Sequence, residues 1–200
     1  MNDIAEARIG HTFREGVSPD PEGNLLILQS KDMSEGTLPG NHNLVRATVP
    51  RFDLELITKP GDVVFLPRGT RFPALAIRGD LVGALVAAPL YIIRPYHELA
   101  DADYLAALIN APALQLSLRA QAKGSYIPQV PAEALRELKL PLPPLPEQRA
   151  IAAIAELSRE EARIAAALAA HRSVWVHALA IAQDTKNPKR NSQEHANAPG

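Results

Sequence analysis

The chain has 200 residues, enough for one globular domain with a buried core plus an appendage and too few for two full catalytic domains. Apolar residues make up 46% and charged residues 22%, which excludes a fibrous or wholly disordered chain, and the lack of cysteine excludes disulfide frameworks, thiolate metal sites and a thiol nucleophile. A net charge of −1 argues against a generic polyanion binder, yet leaves room for a local basic face, because phosphate attraction falls off within about 10 Å at ordinary salt.

The opening stretch, Met1 to Ile9, carries Asp3 and Glu6 where a secretory leader would have a basic patch and an apolar run, so a cytoplasmic address is expected. After the turn Pro19 to Asn24, the apolar run Leu25 to Gln29 reads as a buried strand. Leu44 to Val49, Phe52 to Thr58 and Val63 to Leu66 follow the same pattern, and Ala74 to Ile77 and Leu81 to Ile93 read as two more strands joined at Gly79-Asp80. Leu81 to Ile93 is also the longest apolar run; Gly83 and Pro89 break it and it is too short to cross a membrane, so no membrane partner is expected. Between Arg46 and Arg94 seven bases (Arg46, Arg51, Lys59, Arg68, Arg71, Arg78, Arg94) face four acids (Asp53, Glu55, Asp62, Asp80), a local surplus that an ordinary solvated face also produces.

Beyond residue 100 the period changes. Asp101 or Asp103 caps a helix predicted to run to about Ala122, with Pro112 marking a break or second start inside it. The polar loop Lys123 to Val130 follows, then a short helix over Pro131 to Glu137, then a strand-like Leu138 to Leu142. Four prolines, Pro141, Pro143, Pro144 and Pro146, fall within six residues, making a stiff connection ahead of Glu147, whose charge suits a helix start. From Glu147 to about Gln183 the Ala-rich sequence lacks Gly and Pro, and predicts a helix of about 55 Å. The remainder predicts a disordered tail. The expected class is α+β: a strand-rich domain with helices over 1–146, one long coiled-coil helix over 147–183 and a tail over 184–200.

Heptads counted from Ile154 place Ile154, Leu157, Glu161, Ile164, Leu168, His171, Trp175, Ala178 and Ala182 on one seam. In an antiparallel pair centred near residue 166, Glu161 opposes His171, Ile164 opposes Leu168, Leu157 opposes Trp175 and Ile154 opposes Ala178. Every polar seam position then meets a complement, which points to a homodimer through the helix. A helix lying on its own domain or on another protein, with Glu161 and His171 solvated, fits the same spacing.

Leu140-Pro141-Leu142-Pro143-Pro144-Leu145-Pro146-Glu147-Gln148-Arg149-Ala150-Ile151-Ala152 closely resembles the proline turn and helix start of type I restriction-modification DNA specificity subunits. Leu108-Ile109-Asn110-Ala111-Pro112 and Lys123-Gly124-Ser125-Tyr126-Ile127-Pro128-Gln129 resemble the same family's helix and glycine loop. Gly10 to Arg14, Gln29 to Met33 and Pro60 to Val64 are similar to its opening half. Together these cover most of residues 8 to 183.

The resemblance implies a non-catalytic target-recognition domain that reads half of a split site in double-stranded DNA, with a long helix as ruler and docking post, in phage defence. The implied partners are a type I methyltransferase subunit and, as a further candidate, the restriction subunit. Full-length members carry two recognition domains and two long helices, so a single copy of each looks like a half subunit whose pairing would mirror a palindromic split site. The alternative is an interaction or regulatory protein that docks on the methylation machinery through its helix without reading DNA.

Neither the glycine-rich cofactor turn nor the Asn-Pro-Pro-aromatic motif of the methyltransferase subunits is present, so no cofactor and no catalytic residue are expected. Asp20, Gln29 and Lys31 resemble a degenerate Mg²⁺ nuclease pattern, but Asp20 sits in a Pro-rich turn where Asp is favoured for backbone reasons. The six histidines show no ligand spacing, so no metal is expected. For base reading, Arg, Lys, Gln and polar loops are the matching groups, which selects Lys31, Arg68, Arg71, Lys123, Ser125, Tyr126 and Gln129. Lys123 to Gln129 is the leading candidate, since it joins glycine freedom, hydroxyls and an amide. Each of the seven also suits an ordinary solvated loop.

Overall fold

In the sequence Val63-Val64-Phe65 all three residues are buried, which requires both faces of their strand to be covered. The computed structural model describes residues 1–33, 43–124 and 126–186, with backbone alone for 80 and 176–186. Ser125, His42 and the part of the expected tail beyond 186 lie outside the described residues. The chain divides into two units, Met1–Ile154 and the part from Ala155 onward.

In the first unit, β1 (Ala5–Ile9), β7 (Tyr91–Pro95), β4 (Val63–Phe65) and β5 (Ala74–Ala76) form an antiparallel sheet in that order. A second sheet has β3 (Val45–Ala47) antiparallel to β2 (Leu25–Leu28), and β6 (Leu85–Val86) parallel to β2 on its other side. The period of two in the first sheet separates two cores. Val63, Phe65, Ala74, Tyr91 and Ile93 pack with Leu105, Ile109, Leu118, Val130 and Leu135 from the helical side. Val64, Leu75 and Ile92 point the other way and pack with Ile27, Leu28, Leu85 and Val86 of the second sheet. The expected α+β class, with strands first and helices after, is the architecture observed.

Three expected strands differ. Phe52 to Thr58 forms a 3₁₀ turn at Leu54–Leu56, because Asp53 Oδ1 accepts the Glu55 N–H at 2.9 Å and turns the chain. Leu81 to Ile93 is two strands in two sheets, β6 and β7, divided around Pro89. Leu138 to Leu142 forms no strand; it runs into a segment whose prolines have no N–H for a ladder. The strand β1 was not anticipated: Ala5, Glu6, Ala7 and Arg8 carry little apolar bulk, and on this edge strand Arg8 Nε donates to Glu6 at 2.9 Å.

Three of the seven bases between Arg46 and Arg94 are paired with acids. Arg94 of β7 donates from Nε and Nη2 to the two oxygens of buried Asp62 at 2.8 and 2.9 Å, and also pairs with Glu55. Its hydrogen bond to Asp62 raises the guanidinium pKa above its ordinary value. Lys59 pairs with Glu55, holding that carboxyl below the usual range, and Arg78 pairs with Asp103. These contacts neutralise three of the seven bases within the fold.

Helix α1 (Ala102–Asn110) is capped by Asp101, whose Oδ1 accepts the N–H groups of Asp103 and Tyr104 at 3.0 and 3.1 Å. Helix α2 (Pro112–Gln121) begins at the predicted break, with Pro112 in its first turn, and α3 (Ala132–Arg136) lies within the expected short helix. The amides of Asn110 and Gln115 close the outer edge of β5: Asn110 pairs with both backbone groups of Ala74 at 2.6 and 3.0 Å, and Gln115 with both of Phe72 at 2.9 and 3.1 Å. At Phe72 and Ala74 the edge's backbone groups are thereby satisfied.

Helix α4 spans Leu145–Lys186, starting two residues before and ending three after the expected bounds. Its first turn is latched by Gln148, fully buried, whose Nε2 donates to the Leu99 and Pro143 carbonyls at 2.9 and 2.8 Å while Oε1 accepts the Asp101 N–H at 2.9 Å. The Tyr104 hydroxyl donates to the Pro141 carbonyl at 2.9 Å. These contacts give the proline segment its fixed path between Leu138 and the helix. No helix among the described residues is long and apolar enough to cross a membrane.

Candidate nucleic-acid interface

Two stretches of the sequence, residues 63–79 and 104–132, contain no Asp or Glu. The fold joins them. The Gly69 N–H donates to the Pro128 carbonyl at 3.0 Å, and the Val130 N–H donates to the Pro67 carbonyl at 2.8 Å. Within the glycine loop, Lys123 and Gln129 exchange both backbone hydrogen bonds at 2.8 Å, closing it into a narrow ribbon. Arg119 Nη1 reaches the Thr70 carbonyl at 3.2 Å and ties α2 to the same segment.

Two glycines permit this path. Gly69 and Gly124 have φ of +116° and +106°, which residues with a Cβ rarely adopt, and a Cβ on Gly124 would meet the Ile127 carbonyl oxygen at 2.9 Å. Pro67 and Pro128, each contributing a carbonyl to the ladder, have no N–H to leave unpaired.

Arg68, Arg71, Arg119 and Lys123 are exposed, and among the described residues no salt bridge engages any of them. Tyr126, at the loop tip, is 95% exposed, more than any other large apolar residue described. The structure therefore brings together five of the seven candidates: Arg68, Arg71, Lys123, Tyr126 and Gln129. Ser125 lies outside the described residues. Lys31 is exposed in the 3₁₀ turn Ser30–Met33 that follows β2 in the other sheet, and among the described residues no hydrogen bond or bridge ties it to this group. Arg119 was missed by sequence reasoning; the signal available was the absence of acids over 104–132, which a charge count over Arg46 to Arg94 did not sample.

Asp20 has an observed structural use. Its Oδ1 accepts the Glu22 N–H at 3.0 Å and its Oδ2 accepts the Thr48 hydroxyl at 2.5 Å, the arrangement of a turn residue. Among the described residues no group of three or more His, Asp or Glu side chains is placed to hold a metal ion.

On α4, the expected seam residues Ile154, Leu157, Glu161, Ile164, Leu168, His171 and Trp175 are all exposed. Among the described residues, the ion pairs within this helix, Glu156–Arg159 and Glu160–Arg163 at 2.6 Å, use other positions than the seam, as does Arg149, which pairs with Asp101 at 3.7 Å.

The family model described as type I restriction modification DNA specificity domain matches residues 2–157. The chain belongs to this family. The type I specificity fold also appears in solved structures. The S subunit of a type I restriction-modification system from M. genitalium is 15% identical with a TM-score of 0.51, over 80% of this chain and 37% of that one. The HsdS subunit from Thermoanaerobacter tengcongensis is 22% identical with a TM-score of 0.57, over 78% and 40%. A chain from structural work on complex assembly and conformational transition of the type I R-M system is 17% identical with a TM-score of 0.64, over 89% and 42%. At these identities the likeness is one of fold, and this specificity-domain chain spans less than half the length of each solved chain. A search of the curated proteins finds no match.

Proposed function

We propose that this chain is a DNA-reading specificity component that directs a type I methyltransferase subunit, and a restriction subunit where one is present, to a split site in double-stranded DNA. The observation that carries the reading is the basic surface made by the 67–71 segment, the end of α2 and the Lys123–Gln129 loop, segments that themselves contain no acid. Four cations that make no salt bridge among the described residues, on a hydrogen-bonded frame, supply the local positive field that the chain's net charge of −1 conceals. Family membership supports the same reading, with chemistry residing in the partner subunits and the chain itself acting without catalysis in the cytoplasm.

The helix supplies the second half of the proposal. A row of exposed Ile154, Leu157, Ile164, Leu168 and Trp175 needs an apolar cover, and an antiparallel second copy meets Glu161 with His171 while covering the rest. In this reading 1–146 recognises DNA, the helix pairs and docks, and the paired chains address a palindromic split site. The test is assembly: the purified chain is mixed with a type I methyltransferase subunit and a duplex pool, and the complex is sized and assayed for sequence-dependent methylation. A complex that methylates one split motif supports the proposal. Assembly through the helix with no dependence on DNA sequence would favour the docking regulator instead.

A further inference from the structure

Arg68, Gln129 and Lys123 form a single cross-strand row. Gln129 is bridged antiparallel to Arg68 on one side and to Lys123 on the other. Residues directly opposite in a ladder carry their side chains on the same face, so a cation, an amide and a cation stand side by side. Lys123 and Gln129 exchange both backbone bonds, whereas the bonds flanking Arg68 and Gln129 belong to Gly69–Pro128 and Val130–Pro67. The first is the wider and the second the closer kind of pair, with Cα separations of about 5.5 and 4.5 Å, so the row is roughly 10 Å across.

The amide in the middle is unengaged among the described residues. Gln115 and Gln148 satisfy backbone groups with both side-chain atoms, and Gln121 donates to Ser117. The half-buried Gln129 side chain makes no hydrogen bond among the described residues, although its backbone is fixed at both N–H and C=O. A major groove about 12 Å wide admits a two-stranded ribbon, and a Gln amide matches the N6 donor and N7 acceptor of adenine.

We propose that Gln129 is a specificity-determining residue that reads an adenine edge in the major groove, while Arg68 and Lys123 hold phosphates on its two sides. This rests on the DNA-reading function proposed above. The cations fix position without reading sequence, and the amide discriminates.

The test is selection from a random-sequence duplex pool by the full chain, with the wild type, Gln129→Ala, Gln129→Glu and the double variant Arg68→Ala/Lys123→Ala. The Gln129 variants keep the backbone groups that form the ladder, and Gln129→Glu keeps the side-chain shape, so loss of fold does not mimic the result. The wild type is expected to enrich a motif containing adenine at one position. Gln129→Ala should lose preference there alone by about 5- to 150-fold, the worth of one bidentate base contact. Gln129→Glu should move that position toward cytosine, whose N4 donates to a carboxylate. The double variant should enrich the same motif with uniformly weaker binding. An unchanged motif in Gln129→Ala, or an altered motif in the double variant, overturns the assignment while leaving DNA reading intact. No enriched motif with the wild type overturns DNA reading by this chain and this assignment with it.

Discussion

The guanidinium of Arg94 holds the carboxylate of Asp62 through two hydrogen bonds, 2.8 and 2.9 Å long, with Asp62 only 1% exposed. Asp62 also accepts the Lys59 N–H at 2.6 Å, and Arg94 donates to the Ile57 carbonyl at 3.2 Å. One ion pair therefore fixes the 57–62 turn against β7. Replacing Arg94 by Met leaves a buried carboxylate without its cation, and breaking such a pair costs about 3–5 kcal/mol. Urea unfolding of Arg94→Met should show that loss, with an unchanged dependence on urea concentration.

Gln148 satisfies three backbone groups at the start of α4, and an isosteric apolar residue satisfies none. Each buried group left unpaired costs about 1–3 kcal/mol, so Gln148→Leu should destabilise the first unit by at least about 2 kcal/mol. Gln121→Leu, at an exposed position, is the comparison and should change stability by less than about 0.5 kcal/mol. Thermal melts of the two variants separate a latch from an ordinary polar residue.

Helix pairing predicts a dissociable dimer. Leu168→Glu places a carboxylate in the apolar centre opposite Ile164 of the other copy, and Trp175→Glu removes the largest seam side chain. Sedimentation of the wild type should give a dimer, and each substitution should shift it to monomer while leaving the β-sheet circular dichroism intact. A wild-type monomer contradicts the pairing.

The fold was legible where one physical signal dominated. The runs around Ile27, Val64 and Leu75 read as strands because both faces are buried, and Asp101 and Pro112 marked helix starts because capping and fixed φ are local properties. The Phe52 to Thr58 segment was not legible, since its apolar run competes with an Asp53 turn whose partner is a nearby backbone N–H. The apolar run Leu81 to Ile93 carries the pattern of one strand, and nothing local in it marks that its two ends join different sheets.

The candidate site was legible in residue type and not in arrangement. Arg68 and Lys123 were singled out, but that Gln129 stands between them follows only from long-range bridges. Arg94 and Lys59, counted toward a basic face, proved to be partners of Asp62 and Glu55. Arg119 lies in the predicted helix, outside the Arg46 to Arg94 stretch whose charges suggest a basic face.

The salt dependence of duplex binding tests the central claim most directly, measured by anisotropy on the full chain and on the triple variant Arg68→Ala/Arg71→Ala/Arg119→Ala. Each phosphate contact contributes about 0.9 to the slope of log affinity against log salt, so the variant should bind more weakly with a slope reduced by about 2–3. A folded variant with wild-type affinity and slope would contradict the placement of the DNA-binding surface.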